Sequence, residues 1–381
     1  MHKVNRYSDI LDRLHAEGNF RVIPSELSAG RRVTDLSSND YLGLGANPEI
    51  QAEFFADASN RLIPMTSSAS RLLSGRQREY DELESLLTSL YGRPCLLFNS
   101  GYHANTGIMQ AMADPKTLIV ADKLVHASII DGITLSKAPF TRFRHNDFNH
   151  LERILDKEAA SHDRVLIVTE SVYSMDGDRT DIERLVDLKR HYPNAMLYVD
   201  EAHAFGVEGP GGLGLCKGSG LIEEIDVIVG TFGKACASMG AFCCVSPLMR
   251  DYLINRARSF IFSTSLPPMT VAWTRYMIET FLPMDSERDR LRSLGEKLYA
   301  HLQAVAPSTA ITPSHIQPLI VGSAEKAVSL SQGLLAEGFK VLPIRTPTVP
   351  PGTERLRFSL SSAIDPAEID RLGLILSKLM N

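Results

Sequence analysis

Residues 225–245, IDVIVGTFGKACASMGAFCCV, place Lys234 in a stretch that is otherwise almost wholly apolar or small. The run DVIVGTF (226–232) has the continuous apolar character of a strand buried on both faces, as in a parallel sheet covered by helices. A lysine just past the end of such a strand is costly to bury unless it is paired or loses its charge, because desolvation lowers an amine's pKa. The neutral amine is a nucleophile that condenses with aldehydes to a Schiff base. Alone, the same lysine can equally extend its ammonium to solvent from the strand end. Its surroundings decide between the two.

Similar runs precede it: CLLFNS (95–100), TLIVAD (117–122), RVLIVTES (164–171) and AMLYVDEAH (195–203), separated by stretches of helical periodicity. That alternation predicts an α/β fold with a mostly parallel central sheet. The chain opens on an amphipathic helix over 5–17 that ends near Gly18. From about residue 275 the texture changes. A helix is expected through ERDRLRSLGEKLYAHLQAV (287–305), a strand at IQPLIVG, a helix capped by Ser323 and stopped by Gly338, and strands at FKVLPI and RLRFSLS. A last helix opens with Asp365, Pro366 and Glu368, as an N-cap, a first-turn proline and a first-turn acid. The expected organisation is an N-terminal helical segment (1–34), a large domain (35–275) and a smaller α/β domain (276–381).

Composition excludes several classes. The chain has 381 residues, 44% hydrophobic and 22% charged, enough for a full core and two domains. Its formal net charge is -5 and its basic residues are scattered, so nucleic acid and anionic lipid are not expected partners. The opening MHKVNRYSDILDRLHAEG lacks a signal-peptide core and no apolar run reaches spanning length, which predicts a cytoplasmic protein without a membrane segment. Five cysteines show neither CxxC pairs nor His/Cys ligand spacing, so neither a disulfide frame nor a metal site is expected.

Three motif matches fail on context. GPGGLG (209–214) fits GxGxxG, but LCKGSG follows where a helix should open. DEAH (200–203) suggests a nucleotide hydrolase, yet the required phosphate loop is lacking: IVGTFGKA has Ile228 at the first glycine position and Ala235 at the last. No GxSxG elbow is present.

The surroundings of Lys234 favour pyridoxal phosphate (PLP), the common aldehyde cofactor. PLP needs a carboxylate to keep its pyridine nitrogen protonated, and Asp200 ends the strand AMLYVD. Its phosphate needs backbone donors at a helix start, and FNSGYHANTG (98–107) supplies strand, turn and helix in that order. His203, Ser174 and Thr231 fall near strand ends as well, where ligands of such sheets collect.

With LSSNDYLGL (36–44), SGYHAN, DKLVHASIIDG, VTESVYSMDGD, VDEAHAFGVEG, TFGKA and FSTSLPP, the chain resembles the fold-type I PLP enzymes, and within them the α-oxoamine synthases. The tail, IQPLIVG and IRTPTVPPGTERLRFSLS, is similar to the biotin-pathway branch, which joins L-alanine to a pimeloyl thioester on coenzyme A or an acyl carrier protein. A sister synthase using glycine or another acyl group is the alternative. The resemblance implies that Lys234 is the Schiff-base lysine, Asp200 the pyridinium partner, His126 the residue stacked on the ring and His203 a contact to the ring oxygen. It places Gly101 and Tyr102 at the phosphate and ring, with Ser174 and Thr231 as further cofactor contacts. Thr264 and Ser265 would reach the phosphate of the other subunit, which implies a homodimer with shared active sites. Arg357 and Asn39 would hold the amino-acid carboxylate, and Arg21 and Thr348 the acyl thioester. Read alone, Arg357 alternates with Leu356 and Phe358 on a strand and could simply face solvent. The chain departs from the family pattern at MTSSASRLLSG (65–75), at Tyr80, at Phe205 and in KACASMGAF (234–242), the last two suggesting a pocket floor that is tighter or is repacked by the partner subunit.

Overall fold

The computed structural model describes residues 2–23, 33–45, 47–75, 77–307 and 312–380. Residues 24–32 of the expected N-terminal segment lie outside the described residues. In chain order the strands are β1 (Thr34–Asp35), β2 (Cys95–Phe98), β3 (Thr117–Asp122), β4 (Phe140–Phe143), β5 (Arg164–Glu170), β6 (Ala195–Asp200), β7 (Val227–Thr231), β8 (Ala241–Val245), β9 (Ile316–Ile320), β10 (Phe339–Lys340), β11 (Leu342–Ile344) and β12 (Arg355–Ser359). The chain divides into two compact units, one of Met1–Tyr41, Met175–Asp178 and Asp289–Asn381, the other of Leu42–Ser174 and Arg179–Arg288.

The larger unit holds a seven-stranded sheet in the order β2-β8-β7-β6-β5-β3-β4. Every strand is parallel to the rest except β8, which runs antiparallel to both β2 and β7. β2, β3, β7 and β8 are buried along their whole length, which is why they read as unbroken apolar runs rather than as alternating ones. The edge strand β4 is largely exposed and escapes that signal. β8 was hidden for a different reason: AFCCV has the right composition, but nothing local shows that the chain reverses after Lys234.

Two helices follow the carboxyl ends of β2 and β3, Gly101–Met112 and Ala127–Ser136. They approach closely because Gly132 has no side chain. A Cβ built there would stand 2.8 Å from Met109 Cβ and 2.9 Å from the Asn105 carbonyl. Asp147 and Asp181 cap the helices Phe148–Glu158 and Ile182–Arg190, each accepting a first-turn N–H.

In the smaller unit β9, β12 and β11 form an antiparallel sheet, and β1 pairs in parallel with β10. FKVLPI is therefore two short strands rather than one. Ser323 caps the helix Ala324–Ala336 by accepting the Lys326 N–H, and Asp365 accepts the Ala367 N–H ahead of the last helix, Pro366–Met380. β12 is buried at all five residues, so its arginines do not face solvent. Arg355 pairs with Asp176 from the Met175–Asp178 segment. That segment can lie against β9 only because residue 177 is glycine: its φ is +69°, and a Cβ would fall 1.9 Å from the Ile316 carbonyl oxygen. No helix among the described residues is long and apolar enough to cross a membrane.

Candidate active site

β7 ends at Thr231 and β8 begins at Ala241, so Lys234 sits in a short connection between two central antiparallel strands. The connection is held from within. Phe232 N–H donates to the Gly240 carbonyl, Ser238 N–H to Phe232 and Ala237 N–H to Lys234, at 2.9, 2.9 and 2.8 Å. Trp273 Nε1 donates to the Ala237 carbonyl at 3.1 Å. Ala237 adopts φ 47°, a left-handed conformation that closes the turn without a glycine. Phe205, Phe232, Phe242 and Phe281 pack beneath as one buried aromatic cluster. Phe205 therefore supports the connection and does not line the cleft above it.

That cleft has a volume of about 200 Å³ and is lined by Gly101, Tyr102, Asn105, His126, Ser128, Glu170, Asp200, Ala202, His203, Thr231 and Lys234. Seven of the residues singled out from the sequence thus meet at one place. Lys234 Nζ lies 3.0 Å from His203 Nε2. Asp200, the last residue of β6, is buried; Ala202 N–H binds one carboxylate oxygen at 2.8 Å and Asn105 Nδ2 the other at 2.7 Å. His126 caps the helix Ala127–Ser136, its Nδ1 accepting the Ser128 N–H. Burial of the imidazole edge, offset in part by Asp200 and reinforced by Lys234, lowers the His126 pKa below its ordinary value. The ring is accordingly neutral at neutral pH.

The helix Gly101–Met112 begins directly at the cleft, where its first N–H groups have no partner within the helix. A Cβ at Gly101 would stand in ordinary contact with Thr231, 3.7 Å from its Cβ. Tyr102 turns its hydroxyl to Asp131, which raises the phenol pKa.

Four lining residues were missed in the sequence, Asn105, Ser128, Glu170 and Ala202. Asn105 lies one helical turn past Gly101 within the quoted SGYHAN, a buried amide among Ala104 and Ile108. Glu170 ends β5 in register with Asp200 on β6 and accepts the His126 N–H at 2.5 Å. Burial, and then the charge of Asp200, push the Glu170 carboxyl well above the usual range. The available signal was that two adjacent apolar runs, RVLIVTE and AMLYVD, both stop on an acid.

The remaining residues stand elsewhere. Ser174 follows β5 by four residues, beyond the Val172 and Arg179 bridge, and is not among the residues lining the cleft. Nor are Thr264 and Ser265. Thr264 accepts from Asn99 Nδ2 through its carbonyl, and Ser265 donates to the Ala69 carbonyl, which ties FSTSLPP to the atypical segment 65–75. Tyr80 braces the same region, its hydroxyl donating to the Leu266 carbonyl at 2.9 Å beneath the Arg71 guanidinium. In the smaller unit Arg357 is buried and donates to Asn39 Oδ1 at 3.1 Å, and Tyr41 donates to the same oxygen. Arg21 donates to Thr348 Oγ1 at 3.1 Å on the exposed surface of that unit.

A cleft that combines an amine, a buried carboxylate, a neutral imidazole and an open helix start fits PLP by its donor set: Asp200 for the ring nitrogen, Lys234 for the aldehyde carbon and the helix start for the phosphate. The comparisons agree. Residues 31–373 match the family described as aminotransferase class I and II. A protein of Pasteurella multocida, provisionally named 8-amino-7-oxononanoate synthase, is 48% identical over 384 residues covering 99% of each chain. A serine palmitoyltransferase of S. paucimobilis with a bound PLP-myriocin aldimine superposes with a TM-score of 0.88 at 28% identity, over 99% of this chain and 97% of that one. The 8-amino-7-oxononanoate synthase of Francisella tularensis superposes with a TM-score of 0.74 at 28% identity, over 91% and 97%.

Proposed function

The chain belongs to the aminotransferase class I and II family and is a PLP-dependent α-oxoamine synthase, and we propose that it joins L-alanine to a pimeloyl thioester, releasing 8-amino-7-oxononanoate, thiol and CO2. The observation that carries this reading is the near-complete alignment with the Pasteurella relative of that name, across both units. The reaction belongs to biotin biosynthesis, and we place it in the cytoplasm.

When bound, PLP supplies an electron sink for the pair left at the amino acid's Cα. Lys234 Nζ removes the Cα proton of alanine. The carbon–carbon bond forms between that Cα and the thioester carbonyl carbon as the carbon–sulfur bond breaks. The alanine carboxylate then leaves as CO2, and Lys234 returns a proton to the same carbon. Asp200 would keep the proton on the pyridine nitrogen, and neutral His126 would stack on the ring. His203, 3.0 Å from Nζ, orients the amine and meets the ring oxygen. Gly101 and Tyr102 offer N–H donors to the phosphate, with Ser174 and Thr231 as hydroxyl contacts. Arg357 and Asn39 take the alanine carboxylate, and Arg21 and Thr348 the thioester side. Thr264 and Ser265 serve the site of a second copy, so the working form is a homodimer.

One observation favours a second reading: the serine palmitoyltransferase superposes more completely than the Francisella enzyme at the same identity. A sister synthase with another amino acid or acyl group, such as a glycine C-acetyltransferase, would share the machinery. Thiol release by the PLP-loaded protein from pimeloyl-CoA with L-alanine, run beside serine or glycine and beside palmitoyl-CoA or acetyl-CoA, separates them. Release that is fastest with alanine and pimeloyl-CoA is the expected result. Preference for another pair moves the chain to a sister activity, and release from no pair with CoA directs the test to pimeloyl-carrier protein.

A further inference from the structure

One buried amide touches both walls of the cleft. Asn105 Nδ2 donates to Asp200 Oδ2 at 2.7 Å and to Ser128 Oγ at 2.9 Å, while Asn105 Oδ1 accepts from Tyr198 Oη at 2.6 Å. Both amide hydrogens and the carbonyl are thereby used. Ser128 Oγ lies 2.8 Å from His126 Nδ1, and Ser128 N–H also points at that nitrogen at 3.2 Å. Asn105, Ser128 and Tyr198 are each at most 2% exposed, so water does not compete for these bonds.

The chemistry of the partners fixes the direction of the chain. The Asp200 carboxylate only accepts, so the amide must turn its NH2 toward it. Ser128 Oγ then receives the second amide hydrogen and must give its own proton to His126 Nδ1. That nitrogen, accepting from both Ser128 groups, carries no proton, so the neutral ring holds its hydrogen on Nε2. Tyr198 Oη completes the sequence by donating to Oδ1.

We propose that Asn105 is a positioning residue that locks the Asp200 carboxylate and the His126 ring into one arrangement, so that the carboxylate that would hold the pyridine nitrogen and the imidazole that would face the ring are set together. This rests on the roles given above to Asp200 and His126. The juxtaposition depends on the tight packing at Gly132, which brings the turn carrying Asn105 against the helix that begins after His126.

The test measures the equilibrium affinity for PLP and the pH dependence of its visible absorbance in wild type and in Asp200→Asn, Asn105→Ala, Asn105→Asp, Ser128→Ala and Tyr198→Phe. Asn105→Ala is expected to weaken PLP binding by about tenfold or more, the worth of a hydrogen bond to a charged group. Asn105→Asp sets a second carboxylate against Asp200, so its loss is larger at pH 8 than at pH 5, a pH dependence that a merely structural role does not produce. Ser128→Ala breaks only the His126 arm and Tyr198→Phe only the outer bond, and both are expected to lose several-fold while folding normally. Should Asp200→Asn lose affinity while the folded Asn105 and Ser128 variants bind PLP within twofold of wild type with an unchanged pH profile, the proposal is overturned and the site reading stands. Unchanged affinity in Asp200→Asn overturns the site reading itself, and the proposal with it.

Discussion

Glu201 follows Asp200 and never reaches the cleft. It is buried, accepts the Cys216 N–H at 3.0 Å, and has Gly214 pressed against its carboxylate. Burial raises its pKa from 4.5 to about 7, although the N–H groups of residues 215 and 216 and the Ser171 hydroxyl pull the other way. The native state therefore prefers the protonated acid. The stability this brings is complete below pH 4.5 and is lost as the pH rises through about 7, a difference of about 3 kcal/mol. Glu201→Gln cannot ionise and keeps an acceptor for the Cys216 N–H. In urea unfolding its advantage over wild type should grow from pH 5 to pH 8, and a constant difference would show that Glu201 is charged in the native protein. Lys234 and Asp200 could be read from the sequence because each is a charged residue closing an apolar run. Asn105 could not, because a lone asparagine within a helix shows its partners only once β6 and a second helix are in place. Arg357 was ambiguous for a similar reason, since strand alternation cannot show that both faces of β12 are covered.

Helix pairing beside the sheet is decided at Gly132. Alanine is the better helix former by about 1 kcal/mol, but its Cβ would meet Met109 Cβ, the Asn105 carbonyl and Thr106 Cα at 2.8, 2.9 and 3.0 Å. Two of these atoms belong to the backbone and cannot rotate away. Gly132→Ala is expected to cost about 1–3 kcal/mol in urea unfolding, as overpacking does, and to weaken PLP binding by parting Asn105 from Ser128. A variant as stable as wild type would mean that the two helices slide freely. The parallel strands β3, β5, β6 and β7 were legible because burial on both faces demands unbroken apolar runs. The reversal into β8 was not, because it is set by hydrogen bonds between Phe232, Ser238 and Gly240 and by a left-handed alanine.

At the scale of the whole molecule, the proposed homodimer gives each active site residues from two chains. Lys234→Ala lacks the amine, and the Thr264→Ala, Ser265→Ala double variant lacks the contacts offered to the other copy, so each should be nearly inactive alone. Mixed after dissociation and reassociation, they should regain activity, because a hybrid dimer contains one site built wholly from unaltered residues. Thiol release that stays at the level of the separate variants would show that each chain completes its own site.

By itself the sequence determined the α/β class, the mostly parallel sheet and the PLP chemistry, and singled out the lysine proposed to perform it, because burial on two faces and the cost of an isolated charge leave marks on local composition. Only the tertiary structure decided the antiparallel return of β8, the burial of Arg357, the removal of Phe205 to a supporting cluster and the hub at Asn105. Each of those depends on which distant segment fills the space beside a residue, and no neighbour along the chain records that.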